Sequence, residues 1–283
     1  MPMSQPTVSI QGYPGSFHDI ARVRYFNNGH KLLCRDSFKE VFADIAENRA
    51  DYAVVAIENS LFGSINEVYD LLLKHHFWIS GEIYLRIHHC LVGLKGTKLK
   101  QISEVHSHPV ALAQCDTYID KTLWHAERFE SHDTALSAKD VAHWQNPHKA
   151  AIASAQAAKL HKLSVLAKNI ETNKQNYTRF IVLQKQARTD RSASKTSLAI
   201  TMPTDRRAGS LYQALGTFAK NSINLSKLES RPLIGKAWHY IFYIDIDAEL
   251  SDSATKAAFN QLKKLGDYKV EVIGSYQKGQ IIP

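Results

Sequence analysis

Apolar positions over the first 80 residues follow two alternating rhythms. Short runs of apolar and β-branched residues at 7–11, 31–35 and 52–57 predict strands, and stretches with apolar residues every three or four positions at 16–27, 38–48 and 65–75 predict helices. Strand followed by helix, repeated, predicts parallel strands joined by right-handed crossovers, a doubly wound sheet. Two helix starts carry the reciprocal capping pattern, Ser37 with Glu40 and Ser64 with Glu67, in which the hydroxyl takes one backbone N–H and the carboxylate takes another.

A β-rich segment at 78–94 leads into a second alternating set. Strands are predicted at 104–106, 126–129, 150–153 and 164–166, and helices at 109–120, 134–144 and 155–160. After a polar loop at 171–177, the strand-like run 178–184 is expected to return to the first sheet. The chain then crosses between two lobes near 80–87 and 167–178, leaving a cleft with two hinge strands. The resulting α/β domain covers 1–186, with lobe one at about 1–82 and 168–186 and lobe two at about 83–167.

Residues 187–195 lose their apolar character and read as a linker. Beyond them the order is strand (196–202), helix (209–221), strands (224–231 and 237–246), helix (253–265) and strand (269–276). This is βαββαβ, the ferredoxin-like order, for a second domain at 196–283. One helix gathers Leu211, Leu215 and Phe218 on a single face, and the other gathers Ala254, Ala258, Leu262 and Leu265.

Composition narrows the class. With 44% hydrophobic and 22% charged residues among 283, the chain is ordinarily globular and long enough for two or three compact units. No secretory signal opens it and no apolar run reaches the ~18 residues of a membrane span, so no membrane association is expected. Cys34, Cys90 and Cys115 are odd in number and widely spaced, which suits a reducing compartment, and a cytoplasmic protein is expected. The net charge of +8 favours anionic ligands. Scattered Lys and Arg without a basic run or recognition module argue against nucleic acid. His75-His76, His88-His89-Cys90 and His106-x-His108 match no known ligand spacing, so no metal is expected.

In open parallel sheets ligands bind beyond the carboxyl ends of the strands, at helix N-termini. The turns there are 12–18, 58–64, 107–109, 131–134 and Ser154, all carrying small hydroxyl, amide or glycine residues. Ser16, Ser64 and Ser131 are equally good helix caps, and Pro109 suits a first helical turn, so capping and anion binding both remain open for each turn alone. Five such turns aimed into one cleft suggest an anion site.

The stretch IENSLFGSINEVYD at 57–70 resembles the signature of the prephenate dehydratase family. GYPGSF, SHPVALAQC at 107–115, DTALSA at 133–138, AAIAS at 150–154 and NIETNKQNYTRFIVL at 169–183 follow in the family's order. The C-terminal part resembles an ACT domain, with Glu-Ser-Arg-Pro at 229–232. The resemblance implies a periplasmic-binding-protein-like catalytic domain, followed by a regulatory ACT domain. It implies a reaction in which prephenate loses carbon dioxide and water to give phenylpyruvate, with no cofactor.

By the same resemblance Thr178 and Arg179 are catalytic, with Thr178 a hydrogen-bond donor at the leaving hydroxyl and Arg179 a partner for a carboxylate. Consecutive strand residues face opposite ways, so either the strand begins beyond this pair, the arrangement expected here, or Arg179 is structural. Asn59, Ser60, Gly63, Ser64, His108, Gln114, Ser131, Thr134 and Phe180 are the implied substrate contacts. Gly209, Ser210, Leu211, Asn224, Glu229, Ser230, Arg231 and Pro232 are the implied effector contacts, for phenylalanine. A homodimer or homotetramer is expected. The sequence departs from the family pattern at Tyr13-Pro14, at His18 and at Arg207-Ala208-Gly209-Ser210. Arogenate dehydratase is the nearest alternative, and a non-catalytic metabolite sensor is another.

Overall fold

The computed structural model describes residues 5–27, 29–188, 192–203 and 208–282. Residues 1–4, residues 189–191 of the predicted linker and Arg207 lie outside the described residues. The described residues form two compact units, one within Met1–His75, Ile83–Phe180 and Ile281–Pro283, the other within His76–Glu82 and Ile181–Gln280. The unit boundary therefore falls at 180/181, before the expected end of the first domain at 186.

In the first lobe of the first unit, strands β1 (Thr7–Gln11), β2 (Lys31–Arg35) and β3 (Tyr52–Asn59) are parallel, with β1 between the other two. Helices α1 (Phe17–Phe26) and α2 (Phe38–Ala46) connect them, and α2 opens with the capping box of Ser37 and Glu40. Ala53, Val54, Val55, Ala56 and Ile57 of β3 are all buried, as an apolar run covered on both faces requires. The fully buried Asp44 carboxylate accepts from Ser9, Arg35 and Arg49, which ties β1 and β2 to α2.

A similar tie joins α1 to β3, where His18 Nε2 accepts the Ala56 N–H at 3.2 Å and the ring packs against Phe38 and Phe180. Accepting there requires a lone pair at Nε2, and burial lowers the His18 pKa from 6.5 to about 3. The chain then turns through β4 (Gly63–Ser64), antiparallel to the end of β3, before α3 (Asn66–His75). Ser64 therefore pairs with Glu58 in a ladder and stands two places before the helix.

Strand β5 (Trp78–Arg86) leads to the second lobe, whose strands are β6 (Cys90–Gly93), β7 (Glu104–Ser107), β8 (Glu127–Glu130), β9 (Lys149–Ala153) and β10 (Ser164–Ala167). Their order is β10-β6-β9-β7-β8. The pairs β7–β8 and β7–β9 are parallel, while β6 is antiparallel to both neighbours. Strand β6 enters directly from the other lobe and not over a helical crossover, so the handedness that aligns parallel strands does not act on it. Leu91, Ala150 and Ile152 point into one core, and Cys90, Val92, Ala151 and Ala153 into the core on the opposite face.

Helices α4 (Pro109–Gln114) and α5 (Asp116–Thr122) replace the single helix expected over 109–120. The Gln114 carbonyl accepts the Thr172 N–H at 2.7 Å instead of an N–H one turn further on, and the helix breaks there. Helices α6 (Thr134–Trp144) and α7 (Ala155–Leu160) complete the lobe, and β11 (Tyr177–Gln184) returns beside β3.

The second unit contains β12 (Lys195–Thr201), α8 (Ser210–Lys220), β13 (Leu225–Pro232), β14 (Tyr240–Ile246), α9 (Ser253–Lys264) and β15 (Lys269–Tyr276). The order β13-β14-β12-β15 places the first and third strands in the centre, the ferredoxin-like arrangement read from the sequence. Ala214, Phe218, Ala258 and Leu262 cover this sheet together with Leu198, Ile200, Ile244 and Ile246. Back in the first unit, β16 (Ile281–Ile282) pairs with β5.

Lys195 is not part of a linker, because it opens β12 with 1% exposure. Its Nζ lies 2.8 and 3.1 Å from the two carboxylate oxygens of Glu82, which also accepts the Gly279 N–H. Removing one member of such a pair strands the other charge without water. Lys195→Met is therefore expected to lower unfolding free energy by about 3–5 kcal/mol in urea titrations, and Lys195→Met with Glu82→Leu to recover most of that loss.

His18 predicts an acid sensitivity. Between the folded pKa of about 3 and the unfolded value of 6.5 only the unfolded chain holds the proton, so its stabilising effect is full above pH 6.5 and lost as pH falls towards 3. His18→Gln should flatten the decline by close to one proton in urea midpoints measured stepwise over that range.

Candidate active site

A cavity of about 400 Å³ opens between the two lobes of the first unit. One wall comes from the β1–α1 turn, the end of β3 and β11, through Gln11, Ser16, His18, Asn59 and Thr178. The other comes from the two ends of α4 and the start of α6, through His108, Gln114, Asp133 and Thr134, with Ile87 and His89 from the crossing between β5 and β6. Phe17, Phe38, Phe62 and Phe180 give it an aromatic lining.

Strand β11 begins at Tyr177, before the Thr-Arg-Phe triplet, so the expectation of a strand starting beyond Thr178 and Arg179 is corrected. The hydroxyl of Ser60 fixes this start, because its Oγ accepts the Tyr177 N–H and donates to the Gln175 carbonyl while the Ser60 N–H donates to the Tyr177 carbonyl. With period-two alternation Thr178 and Phe180 line the cavity and Arg179 does not. Arg179 is 4% exposed, with its guanidinium 5.9 Å from the centre of the Tyr84 ring.

Asn59 Nδ2 donates to Thr178 Oγ1 at 3.0 Å, and that is the hydroxyl's side-chain partner. A hydroxyl that accepts one hydrogen bond keeps its own proton to donate. Asn59 in turn is oriented by the Leu61 and Phe62 N–H groups, which both donate to its Oδ1. Phe180 meets His18 edge to face with ring centres 5.0 Å apart.

Of the remaining expected contacts, Gly63, Ser64, His108, Gln114 and Thr134 line the cavity, whereas Ser60 and Ser131 do not. Ser131 is turned to the Asp133 carbonyl and the Ser137 hydroxyl. His108 caps α4 by accepting the Val110 N–H at Nδ1, and burial lowers its pKa. Gln114 Oε1 is shared between His89 Nε2 at 2.7 Å and Asn176 Nδ2 at 2.9 Å. Several helix starts are closed by their own chain: Ser16 accepts the Asp19 N–H, and Asp133 accepts those of Ala135 and Leu136.

No Lys or Arg stands among the described residues lining the cavity, so the positive field inferred from net charge has no point source there. The lining instead offers hydroxyls, amides and imidazoles, together with one carboxylate, Asp133, whose pKa burial raises. Among the described residues no three His, Cys, Asp or Glu side chains converge as a metal site. Sequence reasoning missed His89, His132, Asp133 and the buried Asn176. Asp133 and Asn176 lie inside the motifs at 133–138 and 169–183 and His132 inside the turn at 131–134, whereas His89 falls in a histidine cluster whose spacing speaks only to metal binding.

The expected effector residues lie in the second unit. Gly209 caps α8 at φ 83°, a backbone conformation glycine adopts without strain, and Ser210 and Leu211 open the helix. Asn224 Nδ2 donates to Asp247 at 2.8 Å. On β13, Glu229 and Arg231 share one face, while Ser230 and Pro232 belong to the other, so the four-residue motif does not present a single surface.

The prephenate dehydratase family model matches residues 8–188. An Arabidopsis thaliana arogenate dehydratase/prephenate dehydratase is 36% identical over 290 residues, covering 96% of this chain and 72% of that protein. Two solved structures each superpose with a TM-score of 0.85 over 96% of this chain. The quorum-quenching acylase GqqA does so at 30% identity over 98% of its length, and the Arthrobacter aurescens prephenate dehydratase in complex with L-Phe at 29% over 90%. A match over well more than half of the residues, joined to a cleft whose wall carries the threonine of the Thr-Arg-Phe triplet, leads to one conclusion: the chain belongs to the prephenate dehydratase family.

Proposed function

We propose that this protein is a dehydratase that converts prephenate and one proton into phenylpyruvate, carbon dioxide and water. The observation that carries the reading is Thr178, which faces an aromatic-lined cavity with its oxygen already engaged by Asn59 and its proton free to donate. As the ring carboxylate departs as carbon dioxide, its electron pair moves into the ring and the ring C–O bond breaks. Thr178 hydrogen-bonds the departing oxygen, which leaves as water once protonated, and the ring becomes aromatic.

Phe17, Phe38, Phe62 and Phe180 enclose the ring and strip water from the carboxylate that is lost. Ser16, Thr134 and the imidazoles of His108 and His132 are the cavity-lining donors for the carboxylates. Arg179 acts from behind the wall, not by touching substrate. An acylase reading is not favoured, because an activated nucleophile needs a base and the side-chain partner of Thr178 is a donor.

Phenylalanine is the proposed effector, supported by the L-Phe complex of the Arthrobacter aurescens protein, and it would act at the α8 start and β13 of the second unit. A homodimer or homotetramer in the cytoplasm fits the family and the three free thiols. A specific observation also favours arogenate as a substrate, since the Asp133 carboxylate on a cavity wall without Lys or Arg suits an ammonium group.

Thr178→Val is expected to reduce kcat by about 10²- to 10⁴-fold with its melting temperature kept, and Thr178→Ser to restore much of the rate, read by phenylpyruvate absorbance with and without phenylalanine. A valine variant within threefold of the parent would sink the assignment. If arogenate is also accepted, Asp133→Asn should lower kcat/KM for arogenate about tenfold more than for prephenate, and an unchanged ratio would remove Asp133 from that role.

A further inference from the structure

The amides beside the cavity are wired in one direction. The Leu61 and Phe62 N–H groups meet one end of the Asn59 amide at 3.0 and 3.1 Å, and a backbone N–H only donates, so that end is the oxygen. The opposite end is therefore the NH₂ group, which lies 2.8 Å from Asn176 Oδ1, 3.0 Å from Thr178 Oγ1 and 3.2 Å from the Tyr177 carbonyl. Asn176, which has no exposed surface, accepts at Oδ1 and so must donate at Nδ2, to Gln114 Oε1 at 2.9 Å. That same oxygen is 2.7 Å from His89 Nε2, which consequently carries the ring proton. Burial lowers the His89 pKa and keeps the ring neutral, leaving Nδ1 without a proton.

We propose that Asn176 is a positioning residue for the dehydration. It transmits the polarity set at Asn59 to Gln114 and His89. By holding the Asn59 NH₂ group in place it also keeps that group on Thr178 Oγ1, so that the Thr178 proton points to the substrate. Asn59 lies 117 residues before Asn176 in sequence and Gln114 lies 62 before it, so this one amide joins elements of both lobes. The proposal rests on the dehydratase reading for its kinetic consequence, but not for the direction of the hydrogen bonds.

Asn176→Asp preserves shape and the acceptor at Asn59 while removing the donor to Gln114. Gln114 must then turn its NH₂ towards the new carboxylate, and His89 Nε2, facing that NH₂, must accept. Nitrogen-15 NMR of histidine-labelled protein reads the result. His89 is expected as the Nε2–H tautomer in the parent and in Gln114→Glu, which still accepts from both neighbours, and as Nδ1–H in Asn176→Asp. The kcat of Asn176→Asp should fall about 100-fold with KM within about threefold.

A parent His89 protonated at Nδ1 would overturn the wiring without any variant. An Asn176→Asp protein that keeps Nε2–H, or keeps kcat within threefold, would overturn the role of Asn176. A parent that shows the Nε2–H tautomer but does not dehydrate prephenate refutes the kinetic role and the dehydratase reading together, while the wiring stands.

Discussion

A backbone N–H can only donate, and two of them converge on one oxygen of Asn59. That constraint leaves no freedom in the amides around the cavity. It makes the Thr178 hydroxyl an acceptor from the protein and therefore a donor to whatever occupies the cavity. A threonine is a weak acid, so a fixed direction for its proton matters more than its acidity. Preorganised donors of this kind act without reorganising when charge develops, and that is their catalytic value.

The cavity has no lysine or arginine on its described wall. Hydroxyls, amides and imidazoles carry no net charge to attract a solvated anion from afar, but their hydrogen bonds gain strength where apolar walls lower the local dielectric. Such a site holds carboxylates less tightly than a bidentate arginine does. For a reaction that must release one carboxylate as carbon dioxide, gripping the ground state less firmly is an advantage, since only interactions that strengthen in the transition state raise kcat. Arg179 behind the wall fits the same logic.

Each unit has its own buried electrostatic fastening. In the first unit Asp44 collects Ser9, Arg35 and Arg49, and in the second Lys195 meets Glu82 beneath 1% exposure. Such pairs contribute little net stability over apolar replacements, but breaking one is costly. They specify which segments belong together: the second unit draws in residues 76–82, which a reading of the chain by position assigns to the first domain.

Local periodicity and capping were enough to place most helices and strands, because apolar spacing depends on neighbours a few positions away. The Ser37–Glu40 box, the buried run of β3 and the βαββαβ order of the second unit were legible in this way. The ordered motifs also located most of the cavity wall, including Asn59, Gln114 and Thr178. Tertiary structure alone decided where β11 starts, and so which of Thr178 and Arg179 faces the cavity, since Ser60 fixes the start from far along the chain. It decided the break between α4 and α5 through Thr172, and it brought His89 and Asn176 onto Gln114. A hydrogen bond between residues 25 or 117 positions apart leaves no periodic trace in a single sequence, because its partners are chosen by how the chain folds and not by what stands beside them.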